Sequence, residues 1–470
     1  MSTSRGKLSA ACVLMLVFLA CQAPTPVQGR PAAPKSGRPK TVTTGGGRTG
    51  DRDEIDSSQK FLIPYLTGLG VNNQIWQYLS AMHIAKATNR TLCLVPWIRF
   101  YLSAAGRPSI DFDELFDPAR IGDYARVADM TTCWTQCKSG RFNGFYSTQG
   151  PKLPCCKAGK EAIYERAFMR NTGFHHGIPK LLTELPREAL NSMDGVRRLM
   201  APADKDRCIG FLGSMFDIPP QNVLALNHLT SATSIQDAAA EATRRLFGGE
   251  YVAVHWRFEE TKCREAGLYL PPDRSRPSSI KNMDQLRTTK AGYGIRGSWG
   301  DFCFFTSLKG YVVRSLTIAN EQSIFDGINR VKSRHGLRHV FLSTDIDVKQ
   351  AAGFLKRLRA ATGVRMLSDL DASFWQQFHT IDRKQSDVMS RLEQEICIRS
   401  KSFVGTSTSS WTGSVLQGRL PSHITEALHT QRIKPENLPY YLTRKEDTYI
   451  DMEVCSGSNC ELSTEPIPTP

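Results

Sequence analysis

The sequence predicts an α/β protein organised around parallel, doubly wound sheet. Three observations predict it. Short β-branched and aromatic runs alternate with segments whose apolar residues recur at helical spacing, over 61–95 and again from 251 to 412, and that alternation is the pattern of βαβ units. The most distinctive polar residues fall just past the ends of the apolar runs, where open α/β sheets hold ligands. A chain of 470 residues with a hydrophobic fraction of 40% is long enough for two or more domains with real cores.

The elements follow in order. Phe61 to Leu66 reads as a strand, Gly68 to Gln74 as a turn, and Ile75, Leu79 and Met82 mark a helix running to about Asn89. Leu92 to Val95 is the next strand, which places a Gly/Asn loop at the first strand-to-helix junction. Between 100 and 245 helices are expected near 160–170 and 233–246, with a cysteine-stapled loop region over 130–157. A second alternation opens at Tyr251. Residues 261–310 read as a long, polar, Gly-rich insertion. A helix around 323–334, a strand from Val340 to Asp345, a helix near 348–361 ended by Gly363 and a strand from Val364 to Leu367 follow. A helix over 384–399 then leads into Phe403 and the hydroxyl-rich run Thr406 to Thr412. No internal repeat is evident.

The termini read differently from the body. Arg5 and Lys7 precede an apolar run from Leu8 to Ala20, and the small residues Cys21 and Ala23 suit cleavage, so 1–23 is expected to be a secretory signal peptide. That run, about 13 residues, falls short of the roughly 20 that cross a bilayer, so no stable membrane span is expected. Residues 24–60 are rich in Pro, Gly, Thr and Arg and read as a disordered basic linker. The expected body divides at 61–248 and 249–445, and 446–470 is an acidic tail expected to be flexible apart from a loop closed by Cys455 and Cys460.

The net charge is +15, but Arg5, Lys7, Arg30, Lys35, Arg38, Lys40 and Arg48 all precede the first acid, Asp51. Nearly half the excess therefore lies outside the expected fold. No basic helix, zinc finger or RNA-binding signature accompanies it, so no nucleic-acid partner is expected. Beyond the leader, 11 cysteines remain of the 13 in the chain once Cys12 and Cys21 are set aside. No pair of Cys-x-x-Cys knuckles occurs, so disulfides in an oxidising lumen are expected rather than zinc, with Cys133 to Cys156 pairing locally and an odd thiol left over. The sequon Asn89-Arg90-Thr91 fits the same compartment and marks Asn89 as a glycosylation candidate.

Three junctions carry candidate chemistry. The strand beginning Tyr251-Val252-Ala253-Val254 delivers His255 and Arg257, two residues apart and so on one face. An Arg there offers a planar fork suited to a diphosphate, as in a sugar nucleotide; pairing with a nearby carboxylate is the alternative. Ser343-Thr344-Asp345 ends another apolar strand, and its carboxylate suits a guanine or ribose, or else caps the following helix. The run ending Ser409-Ser410-Trp411-Thr412 supplies hydroxyls at a helix start, which is either an anion site or an ordinary cap. In the first half, Gly70-Val71-Asn72-Asn73 could bond a sugar or an acceptor hydroxyl, or simply turn the chain.

Gly70-Val71-Asn72-Asn73-Gln74 before a helix, Asn89-Arg90-Thr91-Leu92, Val95-Pro96-Trp97, His255-Trp256-Arg257-Phe258-Glu259, Ser343-Thr344-Asp345 and Ser409-Ser410-Trp411-Thr412 together resemble the GDP-fucose protein O-fucosyltransferases, closest to the enzyme acting on EGF-like repeats. The resemblance covers about 61–105 and 250–420. It implies a GT-B fold with two Rossmann-like halves facing across a cleft. It implies inverting transfer of fucose from GDP-fucose to Ser or Thr, with no metal cofactor. Arg257 would then grip the β-phosphate and bridging oxygen, and His255 would contact the donor. Asp345 would bind the guanine or ribose end. Ser409, Ser410 and Thr412 would hold the diphosphate with Trp411 nearby. Gly70, Val71 and Asn72 would line the donor, and Asn73 would sit near fucose and the acceptor hydroxyl with a catalytic role beside Arg257. The implied partners are secreted or membrane proteins bearing small disulfide-rich repeats. The implied compartment is the secretory pathway, the endoplasmic reticulum lumen first, although Ile467-Pro468-Thr469-Pro470 is no KDEL-type signal. The family often has Arg-Phe-Gly-Asn where this chain has Gly70-Val71-Asn72-Asn73, and no Glu occupies that loop. Two alternatives remain open at this point: a fucosyltransferase using a glycan or another repeat as acceptor, and a non-catalytic secreted binding protein on the same scaffold.

Overall fold

A computed structural model describes residues 58–66, 70–98, 109–138, 140–148, 168–174, 182–186, 192–213, 225–256, 303–305, 311–314, 317–319, 321–344, 352–405, 410–419 and 448–450. The body opens with β1 (Phe61–Pro64), α1 (Val71–Ala87), β2 (Thr91–Cys93) and β3 (Trp97–Ile98). After these come β4 (Ser109–Ile110), α2 (Phe112–Leu115), α3 (Pro118–Gly122), β5 (Val127–Ala128), α4 (Met130–Gln136), β6 (Gly144–Ser147), β7 (Leu182–Glu184), α5 (Met193–Met200) and β8 (Cys208–Leu212). The second half contains α6 (Thr233–Leu246), β9 (Tyr251–Trp256), β10 (Cys303–Phe305), β11 (Tyr311–Arg314), β12 (Thr317–Ala319), α7 (Glu321–Arg334) and β13 (His339–Thr344). It continues through α8 (Ala352–Thr362), β14 (Val364–Arg365), α9 (Ala372–Gln377), α10 (Ser386–Arg399), β15 (Ser402–Gly405), α11 (Ser410–Gly418) and β16 (Thr448–Ile450).

Two parallel sheets dominate. The first has the order β5-β2-β1-β8-β6-β7 and the second β14-β13-β9-β15-β16, and every pairing within them is parallel. Their central strands are apolar from end to end: Phe61, Leu62 and Ile63 are fully buried, as are Val252, Ala253 and Val254, because helices cover both faces of a parallel sheet. In the first sheet the order runs outward from β1 through β2 to β5, and the later strands β6, β7 and β8 lie on the other side of β1, with β8 beside it. In the second it runs from β9 to β13 and β14 and then resumes with β15. Each sheet therefore has a switch point at its middle, and the crevice outside the carboxyl ends there is where such sheets bind ligands.

The helices start and stop where local chemistry dictates. Asp129 accepts from the Thr132 amide, Ser192 from Gly195 and Asp371 from Phe374, each satisfying an otherwise orphaned donor. Gly363 closes α8 at φ +71°, a left-handed turn that favours glycine. α1 is buried around nearly its whole circumference, polar Gln74, Gln77, Ser80 and His83 included. Gln74 is satisfied there by both backbone groups of Ile98.

Several expectations change. The cysteines 133 and 137 do not pair locally: Cys93 bonds Cys133, and Cys137 bonds Cys208. α4 lies beside the first sheet and its thiols reach β2 and β8, partners far away in sequence. Cys397 is a buried free thiol, while Cys155, Cys156, Cys263, Cys455 and Cys460 lie outside the described residues. The stretch 261–310 is not wholly loop, since Cys303–Phe305 pairs antiparallel with β11, which pairs with β12. Thr448–Ile450, expected in the tail, adds a parallel strand beside β15. The helix expected from 348 is described from Ala352, and Asp345 lies outside the described residues.

Candidate functional site

Strand β9 carries His255 to the carboxyl end of the second sheet, where Ser343 of β13 lies opposite it in register. His255 is buried, with 5% of its surface exposed. Its imidazole Nδ1 lies 2.8 Å from the Thr412 hydroxyl, and its ring stacks on the Trp411 indole at 3.9 Å between centroids and 20° between planes. Trp411 and Thr412 open α11, the helix that follows β15. So β9 and β15, the two strands flanking the switch point, bring one imidazole, one indole and one hydroxyl together. Gly405 at the end of β15 permits this: a Cβ there would stand 2.6 Å from Thr412 Cγ2.

α10 supports the cluster from behind. The Trp411 indole N–H donates to Ser390 Oγ at 2.8 Å. Ser343 donates to Glu393 at 2.6 Å. Gln394 Nε2 donates to the Trp411 carbonyl at 3.3 Å. Sequence reasoning missed these α10 side chains. The available signal was a stripe of polar residues at i, i+1 and i+4, namely Ser390, Arg391 and Gln394, on a helix leading into the hydroxyl run; Arg391 and Gln394 are only 6% and 1% exposed.

The loop of the first half meets this cluster at the start of α1. Gly70 precedes the helix with extended backbone, and its carbonyl accepts from the Asn73 amide at 2.8 Å. Val71 is buried. Asn72 Oδ1 accepts from Gln394 Nε2 at 2.6 Å and from Ser414 Oγ at 3.2 Å. Asn73 is half-buried. Trp76, one turn on, faces α11, where a Cβ on Gly413 would lie 3.2 Å from its ring. His255, Trp411, Thr412, Asn72 and Asn73 are thus brought to one region. Arg257, Asp345 and Ser409 lie outside the described residues, and so does the side chain of Ser410.

Asn89 closes α1 at φ 52° and is exposed, with its Oδ1 accepting from Arg126. The neighbouring Arg90 is buried and donates to the carbonyls of Phe61, Ala203, Asp206 and Arg207. It ties the amino end of β1 to the segment before β8. A cavity of about 690 Å³ bounded by Tyr251, Arg399, Lys401 and Arg419 opens at the opposite, amino end of β9, away from His255. Among the described residues no three His, Cys, Asp or Glu side chains are grouped as a metal site would require, and no helix is long and apolar enough to cross a membrane.

Two parallel sheets whose switch-point helices meet have the architecture of the GT-B fold. POFUT1 in complex with GDP-fucose overlays with a TM-score of 0.50 at 17% identity, covering 77% of this chain and 95% of that one. A second crystal form of that complex gives 0.50 at 16% identity, with 78% and 95% covered. The fucosyltransferase NodZ from Bradyrhizobium gives 0.37 at 13% identity, with 76% and 92% covered. No curated protein matches by sequence. The family model for GDP-fucose protein O-fucosyltransferase matches residues 65–420. The chain belongs to that family, and it is a GDP-fucose-dependent protein O-fucosyltransferase. The two disulfides among the described residues fit the oxidising lumen of the secretory pathway.

Proposed function

We propose that the protein transfers fucose with inversion, and without a metal cofactor, from GDP-fucose to Ser or Thr hydroxyls of secreted or cell-surface proteins with small disulfide-rich repeats, EGF-like repeats first. The observation that supports this most is the stacking of His255 on Trp411 with Thr412 in contact, at the carboxyl ends of β9 and β15. Residues 249–445 hold the donor in this reading and 61–248 face the acceptor. His255, Ser409, Ser410, Trp411 and Thr412 line the diphosphate, Asp345 takes the guanine or ribose end, and Gly70, Val71, Asn72 and Asn73 border the sugar.

Departure of GDP builds negative charge on the β-phosphate. Fixed cations and N–H dipoles aimed at that charge are commonly the largest catalytic contribution. Arg257, two residues beyond His255 in the chain, supplies the cation, and its fork spans two oxygens at once. Asn73 orients the acceptor hydroxyl. The protein works after removal of the leader 1–23, in the endoplasmic reticulum lumen, glycosylated at Asn89.

The test is transfer of labelled fucose from GDP-fucose to folded EGF-like repeats, with and without EDTA. Transfer that persists in EDTA is the expected result. Loss of transfer in EDTA, restored by manganese, overturns the metal-free mechanism; transfer to glycans but not to folded repeats overturns the acceptor.

A further inference from the structure

The start of α1 and the start of α11 belong to different sheets, yet one side chain joins them. Asn72 Oδ1 receives two hydrogen bonds, from Gln394 Nε2 on α10 at 2.6 Å and from Ser414 Oγ on α11 at 3.2 Å. The orientation of this amide is dictated from behind. Arg391 is buried beneath it and donates through Nη1 to Gln394 Oε1 at 3.1 Å. A guanidinium has only donors, so Gln394 must turn its oxygen to Arg391 and its NH2 to Asn72, and Asn72 must answer with its oxygen. Arg391 is itself fixed, with Nε donating to Ser231 Oγ at 3.0 Å and its guanidinium 4.6 Å from the Phe116 ring. Ser231 also donates to Glu395 at 2.7 Å. Gln394 meanwhile holds the Trp411 carbonyl at 3.3 Å. A polar relay, Arg391 to Gln394 to Asn72, thus runs from the middle of α10 to the first turn of α1, and its branch sets the residue that stacks on His255.

We infer that Asn72 is a positioning residue: through its oxygen it fixes where the first turn of α1, and with it Asn73, sits relative to Trp411 and Thr412, and so sets the distance between donor and acceptor groups during transfer. The inference rests on the donor-site reading given above. It differs from a direct ligand contact in a checkable way, because the engaged atom is Oδ1 and the amide nitrogen plays no part in the relay. Misplacement by about 1 Å between reacting groups can cost on the order of a hundredfold in rate, whereas donor affinity, set within the second sheet, need not change.

The experiment compares Asn72→Ala and Asn72→Asp in the full chain. Turnover is measured at saturating GDP-fucose, GDP affinity by calorimetry, and folding by thermal unfolding. Asn72→Ala removes both bonds and is expected to lower kcat by about tenfold or more, with GDP affinity and unfolding temperature close to wild type. Asn72→Asp keeps two acceptor oxygens and is expected to recover most of the lost turnover. Ser414→Ala, which removes one bond of the two, is expected to lie between wild type and Asn72→Ala. Equal turnover in Asn72→Ala and wild type overturns the inference while leaving the donor site intact. Equal loss in the Ala and Asp variants also overturns it, because the amide nitrogen would then be the functional group. Loss of GDP binding in Asn72→Ala points to a ligand contact and overturns it too. If the wild type itself neither binds GDP nor transfers fucose, the donor-site reading fails instead.

Discussion

His255 and Trp411 stack face to face, 3.9 Å between ring centroids, although 156 positions separate them in the chain. The stack closes the switch point of the second sheet from both sides: His255 rides on β9, and Trp411 enters from the helix after β15. Aromatic pairs of this kind contribute about 0.5–1.5 kcal/mol beyond their buried area. Trp411→Leu removes both the stack and the bond to Ser390, and kcat/KM for GDP-fucose is expected to fall by about tenfold or more. Trp411→Phe keeps a ring over His255 and loses only the 2.8 Å bond to Ser390, so it should fall less. Steady-state kinetics with GDP-fucose varied checks both. A Phe variant as impaired as the Leu variant would assign the effect to the Ser390 bond and remove the stack from the argument.

Arg257 follows His255 by two positions, and the proposed chemistry asks it to meet the charge that grows on the departing GDP. Loss of one such preorganised donor typically costs about 10²–10³ in turnover. Arg257→Ala is therefore expected to lose most activity. Arg257→Lys is expected to fail as well, because an ammonium is a point charge and cannot span two phosphate oxygens. Single-turnover transfer from GDP-fucose is the measurement. A Lys variant with near-wild-type rate would show that charge alone suffices and that the fork is irrelevant.

How much of this was legible in the sequence depends on how each feature is held. β1, β9 and β13 were visible because central parallel strands are buried on both faces and so read as continuous apolar runs. α6 and α10 were visible through helical periodicity, and the end of α8 through Gly363. The strands β3, β4 and β5 were not visible, because two residues carry no periodicity; sheet pairing alone defines them. The disulfides were legible as a class but not as partners. Spacing cannot reveal that α4 lies against β2 and β8, which is decided by tertiary packing. At the site, His255 and the Trp411-Thr412 pair stood out as polar residues past apolar strands. Arg391 and Gln394 did not, because polar residues on a helix ordinarily mark its solvated face, and here they are buried by a helix pairing that only the fold specifies.

The Cys137–Cys208 bond closes 71 residues and fastens α4 to β8, the strand beside β1. Cross-linking a loop of that length constrains the unfolded chain by about 4 kcal/mol in the loop-entropy account. Cys137→Ser with Cys208→Ser is expected to lower the unfolding temperature by several degrees, while GDP affinity of the folded fraction stays unchanged because the second sheet is untouched. Thermal unfolding with and without GDP measures both. An unchanged melting temperature would mean that the bond adds no constraint.

His83 supplies a pH-dependent test of the first half. It lies on α1 with 1% of its surface exposed, its Nδ1 3.5 Å from the Tyr124 hydroxyl. Burial first, and the charge of nearby Lys86 second, together lower its pKa from 6.5 to about 4. The unfolded chain therefore takes up the proton more readily than the folded one between those limits, and the imidazole destabilises the fold as the pH drops. The stability present above about pH 6.5 is lost progressively toward pH 4, by on the order of 3 kcal/mol for this group. His83→Gln carries no titrating group and can still bond Tyr124. Denaturant unfolding at a series of pH values should therefore show the wild type losing more stability than the variant as the pH falls from 6.5 to 4, with a constant difference above pH 7. Parallel curves across the whole range would mean that His83 is reached by water in the folded state, and that the all-round burial of α1 is looser than its packing indicates.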